Sequence, residues 1–195
     1  MFVSFEGLDG SGKTTQAQRL VQTLAAEGAD VVFTREPGGT PLGEAIRDLV
    51  LHGAHVAPWA EAALYTAARA QHVEEVIRPA LERGTTVVCD RYLDSSVAYQ
   101  GVGRGLGLDA VLELNLTAVG GLLPDRTVLV RLDPGTALAR MGEAPDRIER
   151  EGSEFVARVH GAFDALAERF PERYVVIDGT RTVDELAEEI RERLR

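Results

Sequence analysis

Lysine is almost missing from this 195-residue chain: of its 21 basic side chains, only Lys13 is a lysine. Cysteine is equally scarce, and a lone Cys89 excludes an intrachain disulfide and leaves no zinc ligand set. Positive charge is in deficit, with 31 acidic residues against 21 basic ones, and a net charge of −10 repels a polyphosphate such as DNA. No basic patch offsets that repulsion, so nucleic acid is not an expected partner. No apolar run reaches membrane-spanning length, and the start Met1-Phe2-Val3-Ser4 lacks the charged region and cleavage site of a leader. The expectation is a cytoplasmic protein with no membrane partner. Repeats, low-complexity tracts and dividing linkers are also lacking, so residues 1–195 are expected to form one domain with a substantial core.

What is present turns on Gly7-Leu8-Asp9-Gly10-Ser11-Gly12-Lys13-Thr14, which reads G-x-x-x-x-G-K-T. It follows the apolar run Phe2-Val3-Ser4-Phe5 and precedes Ala17, Leu20, Val21 and Leu24, spaced i, i+3, i+4, i+7. Strand, glycine loop and helix are the context in which this motif binds a nucleoside triphosphate. The glycines let backbone N–H groups converge on phosphate oxygens, and the helix opening near Gly12 adds the positive end of its dipole. Lys13 then reaches the β- and γ-phosphates and the Thr14 hydroxyl holds Mg²⁺. With the sole lysine in this loop, the N-K-x-D guanine motif of a GTPase switch is impossible.

Five β-rich runs recur with helical patterns between them: Phe2–Glu6, Val31–Thr34, Thr86–Asp90, Thr127–Leu132 and Tyr174–Ile177. Most are continuously apolar, as strands buried on both faces of a parallel sheet must be. The pattern predicts a doubly wound α/β sheet, whose ligands bind beyond the carboxyl ends of the strands.

Those ends carry the remaining candidates. After the second strand, Arg35 and Glu36 enter the turn Pro37-Gly38-Gly39-Thr40, which also fits an ordinary turn with a surface ion pair. Pro41 opens a helix that carries Arg47. A longer helix is expected from about Pro58 to Arg83, with Tyr65, Arg69 and His72 at i, i+4, i+7. Such a stripe stacks a base and bonds its edge, or forms core with a solvated charge. Asp90 at the tip of the third strand is placed to orient water on the metal beside Thr14, and Arg91 to bridge two phosphates. His52, His55 and His160 lack metal-ligand spacing. Gly101, Gly103 and Gly105 resemble half a dinucleotide fingerprint but follow a helical segment, so that reading fails on context. Residues 140–150, with mixed charge, Gly142 and Pro145, read as a mobile flap whose arginines swing over phosphate or sit as solvated helix-end charges. Thr182 to Glu185 forms a capping box for the last helix.

The stretches FEGLDGSGKTT, TREPGGTPLGE, LYTAARAQH, VVCDRYLDSSVAYQGVGRG, the DRIER flap and IDGTRTVDEL together resemble thymidylate kinase of the bacterial type over essentially the whole chain. The resemblance implies the P-loop nucleoside monophosphate kinase fold, a five-stranded parallel sheet flanked by helices with a mobile lid at about residues 140–150. It implies phosphorylation of dTMP by ATP with Mg²⁺, and a homodimer. ATP falls to Gly7, Asp9, Gly10, Ser11, Gly12, Lys13, Thr14 and Thr15, and the metal to Thr14 and Asp90. Tyr65 stacks on thymine, Arg69 bonds its edge, Ser96 and Gln100 approach the other base atoms, and Tyr99 crowds the sugar 2′ position. Arg91, Arg35 and Arg47 hold the acceptor phosphate with Glu36 in the same turn, while Asp9 lies near the sugar hydroxyl and the metal. The catalytic set is Lys13, Arg91, Asp9 and a lid arginine. Some family members carry an arginine inside the phosphate loop where this chain has Gly10, so that arginine is expected from the lid, with Arg147 assigned over Arg140 and Arg150. The alternatives are another nucleoside monophosphate kinase and a non-catalytic nucleotide-binding module.

Overall fold

The computed structural model describes residues 1–140, 147, 148 and 150–194. Five strands, β1 Phe2–Glu6, β2 Val31–Arg35, β3 Thr86–Asp90, β4 Arg126–Arg131 and β5 Tyr174–Asp178, form one parallel sheet in the order β2-β3-β1-β4-β5. β1 and β3 have the ends expected from sequence, β2 and β5 run one residue further, and β4 is shifted by one residue at both ends. The helices are α1 Lys13–Ala26, α2 Pro41–His52, α3 Pro58–His72, α4 Arg78–Glu82, α5 Leu93–Ser96, α6 Leu108–Ala118, α7 Pro134–Arg140, α8 Ser153–Arg169 and α9 Val183–Arg193.

Helices cover both faces, which is why the inner strands are apolar without alternation. On one face Val3, Phe5, Val88, Val128 and Val130 meet Ala17 and Leu20 of α1 and Leu186 and Ile190 of α9. On the other, Phe2, Val87, Cys89 and Leu129 pack with Phe155, Val159, Phe163 and Leu166, one face of α8. The register pairs Asp90 with both Phe5 and Arg35, so the segments following β1, β2 and β3 leave the sheet at one level. This common edge is where open α/β sheets take their ligands.

Local sequence explains the helix boundaries. Thr40 caps α2 by accepting a hydrogen bond from Gly43 N at 3.0 Å, with Pro41 as the first residue. The expected capping box at Thr182 and Glu185 opens α9. The long helix expected to Arg83 is one rod with a wider turn in it: over Val73–Ile77 the backbone is π-helical, and Arg78 N–H reaches back to Val73 O. Pro79 follows, with no N–H to give to the preceding turn, and the widened turn carries the rod past it. A second π-helical stretch, Val97–Gly103, continues α5 and contains Gly101 and Gly103 of the three glycines that mimic half a dinucleotide fingerprint. Of the lid expected over residues 140–150, Met141 to Asp146 and Glu149 lie outside the described residues.

Candidate active site

The phosphate loop is held open by backbone conformations that side chains resist. Gly7, Gly10 and Gly12 have φ of 140°, 78° and 91°. A Cβ on Gly10 would lie 2.5 Å from Ala137 O, and one on Gly7 2.6 Å from Val130 O. Lys13 folds back over the loop, donating from Nζ to Leu8 O at 3.2 Å and to Asp9 Oδ1 at 3.3 Å. Burial and the neighbouring Arg91 lower its pKa, partly offset by Asp9 and Asp90. Thr14 and Thr15 are exposed in the first turn of α1, and the Thr14 hydroxyl donates to Asp90 Oδ2. Asp90 Oδ1 and Ser11 Oγ are buried with no hydrogen-bond partner among the described residues. Such orphaned groups call for a ligand, and hard oxygen donors on Thr14 and Asp90 fit Mg²⁺.

Arg91 joins this loop to a second cavity. It is the one non-glycine residue among those described with positive φ, 68°, and its N–H donates to Phe5 O at 2.9 Å. That left-handed turn directs the guanidinium across the ends of the strands. Nη1 donates to Gly7 O at 3.3 Å and Ser95 Oγ at 2.9 Å, and Nη2 to Asp9 Oδ1 at 2.5 Å. The Tyr99 hydroxyl donates to Asp9 Oδ2 at 2.9 Å, and the guanidinium lies over the Tyr99 ring, 5.1 Å from its centroid. Burial acts to raise the Asp9 pKa, but Arg91 and Lys13 outweigh it and hold the carboxyl far below its usual range.

Behind Arg91, the Ser95 hydroxyl donates to Glu6 Oε2 at 2.5 Å, and Tyr92 N–H donates to Glu6 Oε1 at 2.8 Å. Glu6 is fully buried; burial, and then Asp94 nearby, push its pKa up to about 8. Asp94 is itself buried in a bidentate pair with Arg173, at 2.5 and 2.9 Å.

The cavity on the far side of Arg91 is lined by Asp9, Glu36, Arg47, Tyr65, Arg69, Arg91, Ser96, Tyr99, Gln100 and Ile148, among others. Arg69 is 2% exposed and donates four hydrogen bonds, which leave one Nη2 hydrogen: Nε to Glu36 Oε2 at 2.6 Å, Nη1 to Ser96 Oγ at 3.0 Å and to Asn115 Oδ1, and Nη2 to Tyr92 O at 3.2 Å. His72, fully buried, is hydrogen-bonded to Glu36 Oε1 at 2.9 Å and Thr34 Oγ1 at 2.6 Å. The Glu36 carboxylate can only accept, so His72 Nδ1 carries a hydrogen. Arg47 donates to Pro37 O at 3.0 Å from the cavity wall. Gln100 donates from Nε2 to the buried Glu61 at 2.9 Å.

A phosphate loop facing a cavity with arginines and a stacking ring agrees with what comparison of the whole chain returns. The family model described as thymidylate kinase matches residues 5–190. The chain belongs to the thymidylate kinase family. It is 57% identical to a thymidylate kinase of Leifsonia xyli subsp. xyli, over 100% of this chain and 94% of that one. A Deinococcus radiodurans thymidylate kinase is 52% identical over 97% of this chain and 94% of its own. The crystal structure of thymidylate kinase from Ehrlichia chaffeensis superposes with a TM-score of 0.84 at 33% identity, covering 100% of this chain and 98% of that one.

For this thymidylate kinase family member, the structure gathers most of the residues singled out in the sequence at one edge of the sheet and leaves two elsewhere. Arg35 is exposed and does not line the cavity: it is ion-paired with Glu44 at 3.1 Å, so the turn's surface-pair reading describes it. Glu36, from the same turn, is buried against Arg69 and His72. Arg147 is bound to other partners, its Nε on Val50 O at 2.8 Å and its Nη2 on Glu61 at 2.6 Å. The reason is electrostatic, since a buried carboxylate draws any guanidinium within reach. The Arg140 backbone lies beside the loop, its Cβ 3.3 Å from where a Cβ on Gly10 would lie, while its Nη1 donates to Gly179 O at 3.2 Å. Glu6, Glu61, Asp94 and Arg173 were not legible as site residues. Only Glu61 left a signal, since Glu61, Tyr65 and Arg69 fall at i, i+4, i+8 on α3. Among the described residues no helix is long and apolar enough to cross a membrane.

Proposed function

We propose that this protein transfers the γ-phosphoryl group of ATP to the 5′-phosphate of dTMP, giving dTDP and ADP. The observation that carries the reading is the junction at Asp9 and Arg91, where the phosphate loop and the second cavity share a wall. An acceptor phosphate oxygen attacks the γ phosphorus as the bond from that phosphorus to the β–γ bridging oxygen breaks, and ADP leaves. A phosphate monoester is mostly dianionic near neutral pH, so the nucleophile has no proton to lose and no general base is needed. The obstacle is bringing two anions into line, which calls for fixed positive charge in a site closed to water.

Lys13 and the loop N–H groups, from Gly7 to Thr15, hold the donor, while Arg91 and Arg47 hold the acceptor phosphate. From the lid we assign the role at the transferring phosphate to Arg140, supported by its place beside Gly10. Thr14 and Asp90 would hold Mg²⁺, which when bound neutralises phosphate oxygens. Tyr65 offers the base its face, Arg69, Ser96 and Gln100 its edge, and Tyr99 closes the sugar's 2′ side. A homodimer and a cytoplasmic location complete the proposal, supported by the family resemblance.

The test is ADP release with Mg²⁺ and ATP and each of dTMP, dUMP, dCMP and AMP in turn. Strong preference for dTMP is expected. Activity with another monophosphate alone would keep the phosphoryl chemistry and overturn the acceptor; activity with none would leave a nucleotide-binding module.

A further inference from the structure

Glu61 lies one helical turn before Tyr65 and two before Arg69, fully buried behind the cavity wall that those residues form. It accepts from Gln100 Nε2 at 2.9 Å, from Arg104 Nε and Nη2 at 3.2 and 3.3 Å, and from Arg147 Nη2 at 2.6 Å. Burial acts to raise its pKa, but the hydrogen bonds from Gln100, Arg104 and Arg147 outweigh that and hold it below its usual value. The group is a carboxylate near neutral pH and can only accept.

That fact fixes its neighbour. The two ends of a glutamine amide have the same shape and opposite hydrogen-bond character, so the end that meets a ligand is set by what binds the other end. Gln100 is 2% exposed and lines the cavity. With the carboxylate on one side, the NH₂ end must turn toward Glu61 and the amide oxygen toward the cavity. The reverse orientation would press two buried acceptors together and leave a donor of Gln100 facing the base.

We infer that Glu61 is a positioning residue that sets the hydrogen-bond polarity of Gln100 and so selects an acceptor base carrying a ring N–H over one offering a lone pair there. Thymine has a hydrogen on N3, and cytosine has a lone pair at N3. Arg69, which can only donate, adds the complementary demand for a carbonyl oxygen on the same base edge. The inference rests on the dTMP reading of the cavity and deepens it.

Glu61→Gln tests it, because an amide at position 61 that keeps its oxygen on Arg104 Nη2 and Arg147 turns its NH₂ toward Gln100, where the wild type has an acceptor. The measurement is kcat/KM for dTMP and for dCMP, with folding checked by thermal melting. The preference for dTMP over dCMP is expected to fall about tenfold or more, mainly through KM. An unchanged preference in the folded variant overturns the inference. In a Gln100→Ala background, Glu61→Gln should leave the preference where Gln100→Ala alone puts it; a further fall of the same size would show that Glu61 acts through the arginines and would also overturn it. A wild-type protein inactive with dTMP would sink the parent reading instead.

An independent readout needs no change at Glu61. In protein labelled with ¹⁵N-glutamine, the Gln100 NH₂ resonances, assigned by their loss in Gln100→Ala, should keep their shifts and slow solvent exchange when dTMP is added. A large shift of both protons, the sign of a turned amide, overturns the inference even if Glu61→Gln does not fold.

Discussion

Arg91 Nη2 lies 2.5 Å from Asp9 Oδ1, and this one ion pair ties the tip of β3 to the phosphate loop. It joins a cation that reaches the cavity to an acid that belongs to the loop. Loss of either partner therefore perturbs both halves of the site, and the Arg91 backbone that places this guanidinium has φ 68°.

Arg91→Ala and Arg91→Gly remove the same guanidinium and differ in backbone freedom. Both should lower kcat by about a thousandfold or more. At φ 68° glycine is unstrained and alanine is not, so the glycine variant should be about 1 kcal/mol the more stable. Urea midpoints at equal slope measure the difference. An alanine variant as stable as the glycine one would show that the turn stores no strain.

Lys13→Ala removes the sole ammonium from the loop. Turnover should fall by about a thousandfold while the melting temperature stays near that of the wild type, because Lys13 contacts only Leu8 O and Asp9 within its own loop among the bonds described. A fully active variant would falsify the assignment of the phosphate loop.

Glu6 gives stability a pH dependence. Its carboxyl titrates at about 8 in the folded chain against an ordinary value of 4.5, so between those limits the folded state binds the extra proton. Stability is greatest below the lower limit and falls as pH rises toward and through about 8. Denaturant midpoints from pH 5 to 8.5 should therefore decline. Glu6→Gln, which keeps an oxygen for Tyr92 N–H, should flatten the decline, and an equal slope in the variant would count against a buried neutral acid.

How far such features can be read from sequence depends on how local they are. The phosphate loop, the five strands and the caps at Thr40 and Thr182 are written within a few residues of themselves, through glycine conformations, apolar runs and hydroxyl caps. Asp90 and Arg91 were legible because a strand ends at them. Glu6 was hidden: its partners Tyr92 and Ser95 are 86 and 89 residues away in sequence, and within β1 it looks like the polar end of a strand. The partner of Arg147 was hidden for the same reason, since its attraction to Glu61 spans 86 residues and nothing near either residue announces the other. Arg69 was legible on the same helical stripe as Tyr65, but the depth to which Glu36, Ser96 and Asn115 bury it was not.

Arg140 and Arg147 should separate in kinetics. Arg140→Ala, beside Gly10, is expected to lower kcat with little change in the KM for dTMP. Arg147→Ala releases Glu61 and the carbonyl of Val50, and is expected to raise that KM more than it lowers kcat. The opposite split would return the catalytic role to Arg147.

Tyr99→Phe deletes the hydroxyl that donates to Asp9 and keeps the ring beside Arg91. It should cost about 1 kcal/mol of stability and leave the preference for deoxyribose over ribose acceptors intact. If dTMP and its ribose counterpart become equivalent substrates, the hydroxyl and not the ring reads the sugar.

Cys89 sits in β3 next to Asp90, without solvent exposure, its Sγ donating to Arg91 O at 3.0 Å, and burial pushes its thiol pKa well up. A maleimide therefore meets no reactive sulfur while the sheet is closed. Because no other thiol exists in the chain, the rate of alkylation is a clock for the parting of that strand from its neighbours, set two residues before Arg91. Nucleotides that brace the ends of β1 and β3 should slow the clock, so a mass spectrometer counting one adduct can report occupancy of the site without following any reaction at all.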